Sequence, residues 1–336
     1  GCYESALGDA VAEVLATLPH PPRAFFIHVN CIDDFLGTDE TALLADLHGR
    51  FPSCAFATLH MNPIAADRGL STGLRIHERL YSMLQPASRA DQAVNLVGNF
   101  VELDRECELS RVLHSWGIDE IRQLFSCRSF EEYEQLASSR LNIVLSYIGT
   151  YAAETMRDHL GIPFLYLPIT YSLPAVCKNY QLLSQALGQI SPHFDEEKQA
   201  TQAAIETTRT AIGDTPLAVD SSAAMQPFAL AKALLDYGFN VCAIFALHLK
   251  DHDATERHQI QETHPDIAVI SGGNYEYLLN LELPRETICI GFDCAYLLKA
   301  PHFVDIQKDE GMFGFYAIEH LMDKITESLT TTTRWE

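Results

Sequence analysis

Along the chain, short runs rich in β-branched and aromatic residues alternate with glycine-bearing or polar turns and with stretches of helical periodicity. The runs at 23–30, 55–61, 93–100, 120–126, 141–147, 163–168, 216–220, 239–247, 267–272 and 287–292 predict strands. Apolar residues spaced three and four apart predict helices over 10–18, 41–50, 73–84, 108–116, 150–160, 227–237 and 311–328. Runs such as NIVLSYI and IAVISGG lack polar alternation, as strands covered on both faces do. Strand and helix alternating at this spacing predict an α/β fold with parallel sheets and right-handed crossovers.

Two stretches interrupt the pattern. Gln85-Pro86-Ala87-Ser88 is polar and proline-bearing, and a long helical segment from about 173 to 212 carries no strand signal. The expected organisation is therefore three Rossmann-like domains at 1–87, 88–213 and 214–330, the first short or truncated.

Composition narrows the function classes. With 23 basic and 45 acidic side chains the formal charge is −22, which repels phosphate backbones and anionic lipid. No nucleic-acid or membrane partner is expected. No apolar run approaches the roughly 20 residues of a membrane span, and Gly1-Cys2 opens into a helical pattern without a signal segment, so a cytoplasmic location is expected. The nine cysteines are dispersed with no CxxC pair, which argues against a disulfide framework and a zinc ribbon. The standard dinucleotide fingerprint, the P-loop, the GxSxG elbow and the HExxH helix are all absent.

The remaining chemistry falls just past strand ends, where open α/β sheets bind ligands. FFIHVN delivers Cys31 to such an end, followed by Asp33, Asp34, Gly37 and Thr38. A thiol there is a candidate metal ligand, and it serves equally as a packed loop residue beside a helix capped by Asp33, Asp34 or Thr38. The second strand ends in His60-Met61-Asn62-Pro63, and Ser271-Gly272-Gly273-Asn274 closes a later one. Asn62, Gly272, Gly273 and Asn274 are candidate ligand contacts or plain turn residues. Cys289 and Cys294 flank IGFD, a weak metal signal in which one thiol faces the core. The cluster HLKDHDATERHQIQETH holds imidazoles and carboxylates without matching a known ligand spacing.

Several of these stretches resemble the nitrogenase component 1 superfamily. The first unit, with VNCIDDFLGTDE, is similar to its Cys-x-x-x-[FILM]-[IL]-Gly-[DT]-Asp turn after a strand. The stretch from AVNLVGNF through SYIGTYAAETMRDHLGIPFLYLP resembles its second domain, and PLAVDSSAAMQPFALAKALL and IGFDCAYLLKAPHFVDIQ resemble its third. The resemblance implies a chelatase-like or nitrogenase-component-1-like fold of three Rossmann-like domains. It implies electrons received through an iron–sulfur cluster shared at a subunit interface, from a separate P-loop iron protein that hydrolyses ATP. A homodimer, or a heterodimer with a related component 1 subunit, is expected.

On this resemblance Cys31 falls where the family places an interfacial cluster cysteine, with Cys2 and His302 as weaker metal candidates. The stretch Tyr151-Ala152-Ala153-Glu154 ahead of GIPF offers no cysteine for a nitrogen-reducing cofactor. The expected function is reduction of a tetrapyrrole or another small cofactor, with Asp33, Asp34, His60 and Asp293 as candidate proton donors. The alternative is a non-catalytic scaffold or carrier for a metallocluster or metallocofactor.

Overall fold

The computed structural model describes residues 2–61, 70–246, 249, 251–272 and 281–335, with the backbone alone for 2, 3 and 34. Every strand pairing among them is parallel, and three sheets result. Strands β1 (Ala24–Asn30) and β2 (Ala55–Met61) pair from Ala24 opposite Ala55 to Asn30 opposite Met61. Strands β3 (Val94–Val97), β4 (Ile121–Gln123), β5 (Leu141–Val144) and β6 (Phe164–Tyr166) form a sheet of order β4-β3-β5-β6. The third sheet takes β7 (Leu217–Asp220), β8 (Val241–Phe245), β9 (Ala268–Ile270), β10 (Ile288–Ile290) and β11 (His302–Val304) in the order β11-β10-β7-β8-β9. The α/β fold with parallel sheets is thus the one the apolar runs predict. β3, β5 and β7 are buried at every residue, which is why their sequences show no alternation.

The chain forms two compact units. One comprises Gly1–Asn99 with Glu120–Tyr166 and the other Phe100–Asp119 with Leu167–Glu336. In the first unit, α1 (Cys2–Thr17) and α3 (Glu40–Arg50) cover one face of β1 and β2, with Val11, Ile27, Val29, Leu43 and Leu47 as the core. Asp39 caps α3 by accepting from the Ala42 amide at 2.9 Å, and Ser71 caps α4 (Thr72–Arg79) through the Leu74 amide at 3.4 Å. Short helices α2 (Cys31–Leu36) and α6 (Phe130–Gln135) complete the connections. Helix α7 (Thr150–Leu160) stops at Gly161, whose φ of +75° closes the left-handed cap that precedes Ile162-Pro163.

In the second unit, α8 (Leu173–Leu187), α9 (Asp195–Ile212), α10 (Pro227–Asp236), α11 (Ala254–Thr263), α12 (Phe292–Leu298) and α13 (Gly314–Ser328) pack around the five-stranded sheet. Segment 100–119, carrying α5 (Leu109–Ser115), belongs here because Glu108 ties it to the start of α13. The Glu108 carboxylate accepts from the Phe315 amide at 2.8 Å, the Tyr316 amide at 3.2 Å and the Tyr180 hydroxyl at 2.6 Å. A side chain from outside the helix thereby satisfies amides that the first turn leaves open.

Two details depart from the sequence pattern. Phe292, expected to end a strand, opens α12, since Gly291 at φ +115° turns the chain first. The strand β11 was not legible, because three residues following Pro301 carry too little pattern.

Candidate functional site

Cys31 leaves β1 as the first residue of α2 and is half-exposed. Its position is set on both sides. The Asn30 amide donates to the Asp33 carboxylate at 2.6 Å, and the Ile32 amide donates to the Asn30 side-chain oxygen at 2.8 Å. Asp33 is buried, and its carbonyl accepts from the Thr38 amide at 3.1 Å across Gly37, which stands at φ +68°. The Asn and Asp side chains therefore hold the turn, as Asx turns do, and present the thiol at a fixed place.

His60 lies on β2 opposite Val29, close to the same carboxyl edge. Its Nε2 contacts the Glu40 carboxylate at 2.6 Å, while the other Glu40 oxygen accepts from the Thr58 hydroxyl and lies 3.8 Å from Arg79. Burial works against the charge of Glu40, but the bonds from Thr58 and His60 hold its carboxyl below the usual range. The carboxylate thus fixes the orientation of the imidazole at this edge.

The surroundings of Cys31 are apolar and exposed. Phe35 is 90% exposed, and Ile32, Leu36 and Met61 are all more than half exposed. Isolated exposed apolar side chains are ordinary, but a cluster on one turn and the facing strand end is the signature of an interaction surface.

The edges where the other two sheets reverse their strand order are filled by the protein itself. At the ends of β7 and β10, the fully buried Asp220 accepts from the Ser222 amide at 2.5 Å, from the Ser222 hydroxyl and from the Cys294 amide at 2.7 Å. The Ser222 hydroxyl oxygen accepts in turn from the Phe292 amide at 2.8 Å. At the ends of β3 and β5, the Ser146 hydroxyl donates to the Gly98 carbonyl, and the Gly98 amide donates to His77 Nε2 at 3.0 Å. A Cβ on Gly149 would come within 2.7 Å of Gly98. These switch points are where doubly wound sheets take a nucleotide coenzyme, and here the Asp220 carboxylate lies at one and a close Gly98–Gly149 backbone approach at the other.

The structure brings Cys31, Asp33 and His60 to one sheet edge. Asp293 is exposed on the first turn of α12, and Gly272 follows the edge strand β9, both at the carboxyl side of the five-stranded sheet. His302 opens β11 at the opposite, amino edge of that sheet, where its Nδ1 donates to the Ser328 carbonyl at 2.9 Å. Cys2 opens α1 and Asp34 lies within α2, while Asn62, Gly273 and Asn274 lie outside the described residues. Cys289 and Cys294 are both sealed in the core, so the four-residue spacing reflects packing.

Among the described residues no group of three or more histidine, cysteine, aspartate or glutamate side chains converges. At the Cys31 edge Asp33 is committed to the backbone and His60 Nε2 to Glu40, which among the described side chains there leaves the thiol as the readiest ligand. That donor set fits one ligand position of a shared iron–sulfur cluster and not a complete four-ligand site. Asp220, Glu40 and His77 escaped the sequence reading. The only signal for Asp220 was its place after a buried run, in PLAVDSS.

Residues 3–286 match the model of the nitrogenase component 1 type oxidoreductase family. Among solved structures, "Nitrogenase Cp1 at pH 6.5" superimposes with a TM-score of 0.75 at 15% identity, covering 97% of this chain and 79% of the other. "Nitrogenase Cp1 at pH 5" gives 0.63 at 16% identity, covering 97% and 74%. Comparison with curated proteins finds no match. Among the described residues no helix is long and apolar enough to cross a membrane.

Proposed function

The chain belongs to the nitrogenase component 1 type oxidoreductase family, and on that premise we propose that it is a component 1 subunit reducing a tetrapyrrole or another small cofactor. Electrons would come from an ATP-hydrolysing iron protein. The observation that carries this reading is the placement of Cys31, a half-exposed thiol on a braced turn inside an exposed apolar surface. A thiol there is suited to be one ligand of an iron–sulfur cluster completed by a second subunit, identical or related, that covers Ile32, Phe35 and Leu36.

When bound, such a cluster supplies one-electron transfer. This chain's residues do the rest. Asn30 and Asp33 keep Cys31 at its position. Glu40 orients His60, which can hold a proton at the same edge. The filled switch points favour this reading over a soluble nucleotide coenzyme. The lobes at 1–87, 88–213 and 214–330 remain our proposed division, and the cytoplasm our proposed location.

Protein purified without oxygen tests the reading. The broad visible absorption of iron–sulfur charge transfer is expected in the assembled protein and is expected to be lost in Cys31→Ala. Absorption that survives the substitution would remove Cys31 from the ligand set. The second reading, a carrier of a metallocluster or metallocofactor, draws on the same edge offering one thiol and little acid–base machinery. A reductase bleaches with its electron donor and ATP and turns over substrate, whereas a carrier exchanges cargo without turnover.

A further inference from the structure

A separate cleft lies at the amino end of β1, away from Cys31 and within the same unit. It encloses about 350 Å³. Its floor is apolar, built from Phe26, Met83, Leu124, Phe130 and Tyr133, with Cys127 beside them. Phe130 stacks on Tyr133 at 5.4 Å between ring centroids, so the wall is flat and rigid. The volume sits at the small end of the roughly 300–1,000 Å³ typical of small-molecule sites.

Charge at the mouth restricts what can enter. Arg23 lies over the Phe130 ring at 5.1 Å and is ion-paired with Glu131 and, at 3.5 Å, with Glu134. Its charge is already balanced. Arg128 is different, because among the described residues its guanidinium has no ion-pair or hydrogen-bond partner, and only its backbone amide is engaged, by Glu132 at 2.7 Å. Arg128 is exposed, so its guanidinium is open to an anionic group at the rim of the cleft. A guanidinium fork matches a carboxylate through two parallel hydrogen bonds. The three glutamates near the mouth oppose a dianion, so a phosphate monoester is disfavoured against a single carboxylate.

We propose that this cleft binds an apolar monocarboxylate, its chain or ring laid on the Phe130–Tyr133 wall and its head held by Arg128. No step of the reductive chemistry is involved, and the site stands whether or not Cys31 ligates a cluster.

Octanoate is a suitable probe, with octanamide and octyl phosphate as neutral and dianionic comparisons, each titrated into the full chain by calorimetry. Cys127 lines the cleft and reports where binding occurs through its alkylation by N-ethylmaleimide, read by mass spectrometry. Octanoate is expected to bind at least about tenfold more tightly than either comparison and to slow alkylation of Cys127. Arg128→Gln, an exposed change that leaves the fold intact, is expected to weaken octanoate at least about tenfold and to leave octanamide unaffected. Met83→Trp, filling the floor with the arginine in place, is expected to abolish both binding and protection. Equal octanoate affinity in Arg128→Gln, tighter binding of octyl phosphate, or binding that leaves Cys127 unprotected would each overturn the proposal.

Discussion

Two strand ends in this molecule look alike in sequence and differ in physics. The β1–α2 junction and the β10–α12 junction both lead from a parallel strand into a short helix that carries a cysteine in its first turn. At the first, the carboxylate of Asp33 braces the turn from within and the Cys31 thiol stays half-exposed among apolar side chains. At the second, Asp220 reaches across from β7 to the Cys294 amide, and burial pushes the Cys294 thiol well up. A thiol raised in this way is inert, and one at a surface is available. The lesson is that local spacing places a cysteine at a sheet edge, but the neighbouring strand decides whether that edge is a site or a seam.

The largest effect is expected at the seam. Asp220→Ala removes the acceptor for the half-buried Ser222 amide and hydroxyl and for the buried Cys294 amide. Removing a fully buried carboxylate from three donors, one of them fully buried, predicts a loss of about 3–5 kcal/mol in chemical denaturation. A cost below about 1 kcal/mol would mean that the junction is held by packing alone, and the contrast would collapse.

Acid separates the two units next. His77 in the first unit is almost fully buried, and burial pushes its pKa down to about 4. The unfolded chain takes up that proton near the ordinary histidine value of 6.5, so stability is lost as pH falls from about 6.5 to about 4, by up to about 3 kcal/mol. Asp309 in the second unit has the opposite sign. Burial pushes its carboxyl up to about 6, against hydrogen bonds from the Met225 amide and the Tyr171 hydroxyl and the charge of Lys308. Its folded form holds the proton more tightly, so stability is gained as pH falls from about 6 towards the ordinary carboxylate range. Hydrogen exchange between pH 7 and pH 4.5 should show protection falling in the first unit relative to the second. His77→Gln and Asp309→Asn should each flatten their own unit's slope. Parallel loss in both units would refute the assignment.

Gly291 tests the seam from its backbone. It stands at φ +115°, and a Cβ there would meet the Asp220 carboxyl at 2.5 Å. Gly291→Ala is expected to cost about 1–3 kcal/mol from backbone strain, more if Asp220 cannot move. In the Asp220→Ala background the steric part should disappear, and a double-mutant cycle measures the difference.

That residue also marks how far the sequence could be read. Sheets were legible because full burial erases polar alternation, so NIVLSYI and PLAVD announce themselves. The family was legible because Cys31, the glycine-threonine-aspartate turn after it and the GIPF run keep their order. Asp220, Glu40 and Glu108 were not legible. Each acts on backbone or side chains brought near by the fold, such as the Cys294 amide for Asp220, and no short-range pattern encodes a partner dozens of residues away. The bond from His302 Nδ1 to the Ser328 carbonyl, 26 residues on, was illegible for the same reason.

The smallest expected effects decide what the Cys31 edge is for. Cys294→Ala, in the core, is expected to cost about 1 kcal/mol, whereas Cys31→Ala should stay within about 0.5 kcal/mol of the parent. N-ethylmaleimide should modify Cys31 in the folded monomer while Cys289 and Cys294 react only on unfolding. Phe35→Asp adds a charge to a side chain that is 90% exposed, so the monomer's stability should be unchanged. If a second subunit covers this surface, the same change should dissociate it in sedimentation velocity and expose Cys31 to alkylation. A Phe35→Asp protein that loses stability without changing its association state would show that Phe35 packs within its own unit. Cys31 would then lose the apolar rim on which its assignment as an interfacial ligand depends.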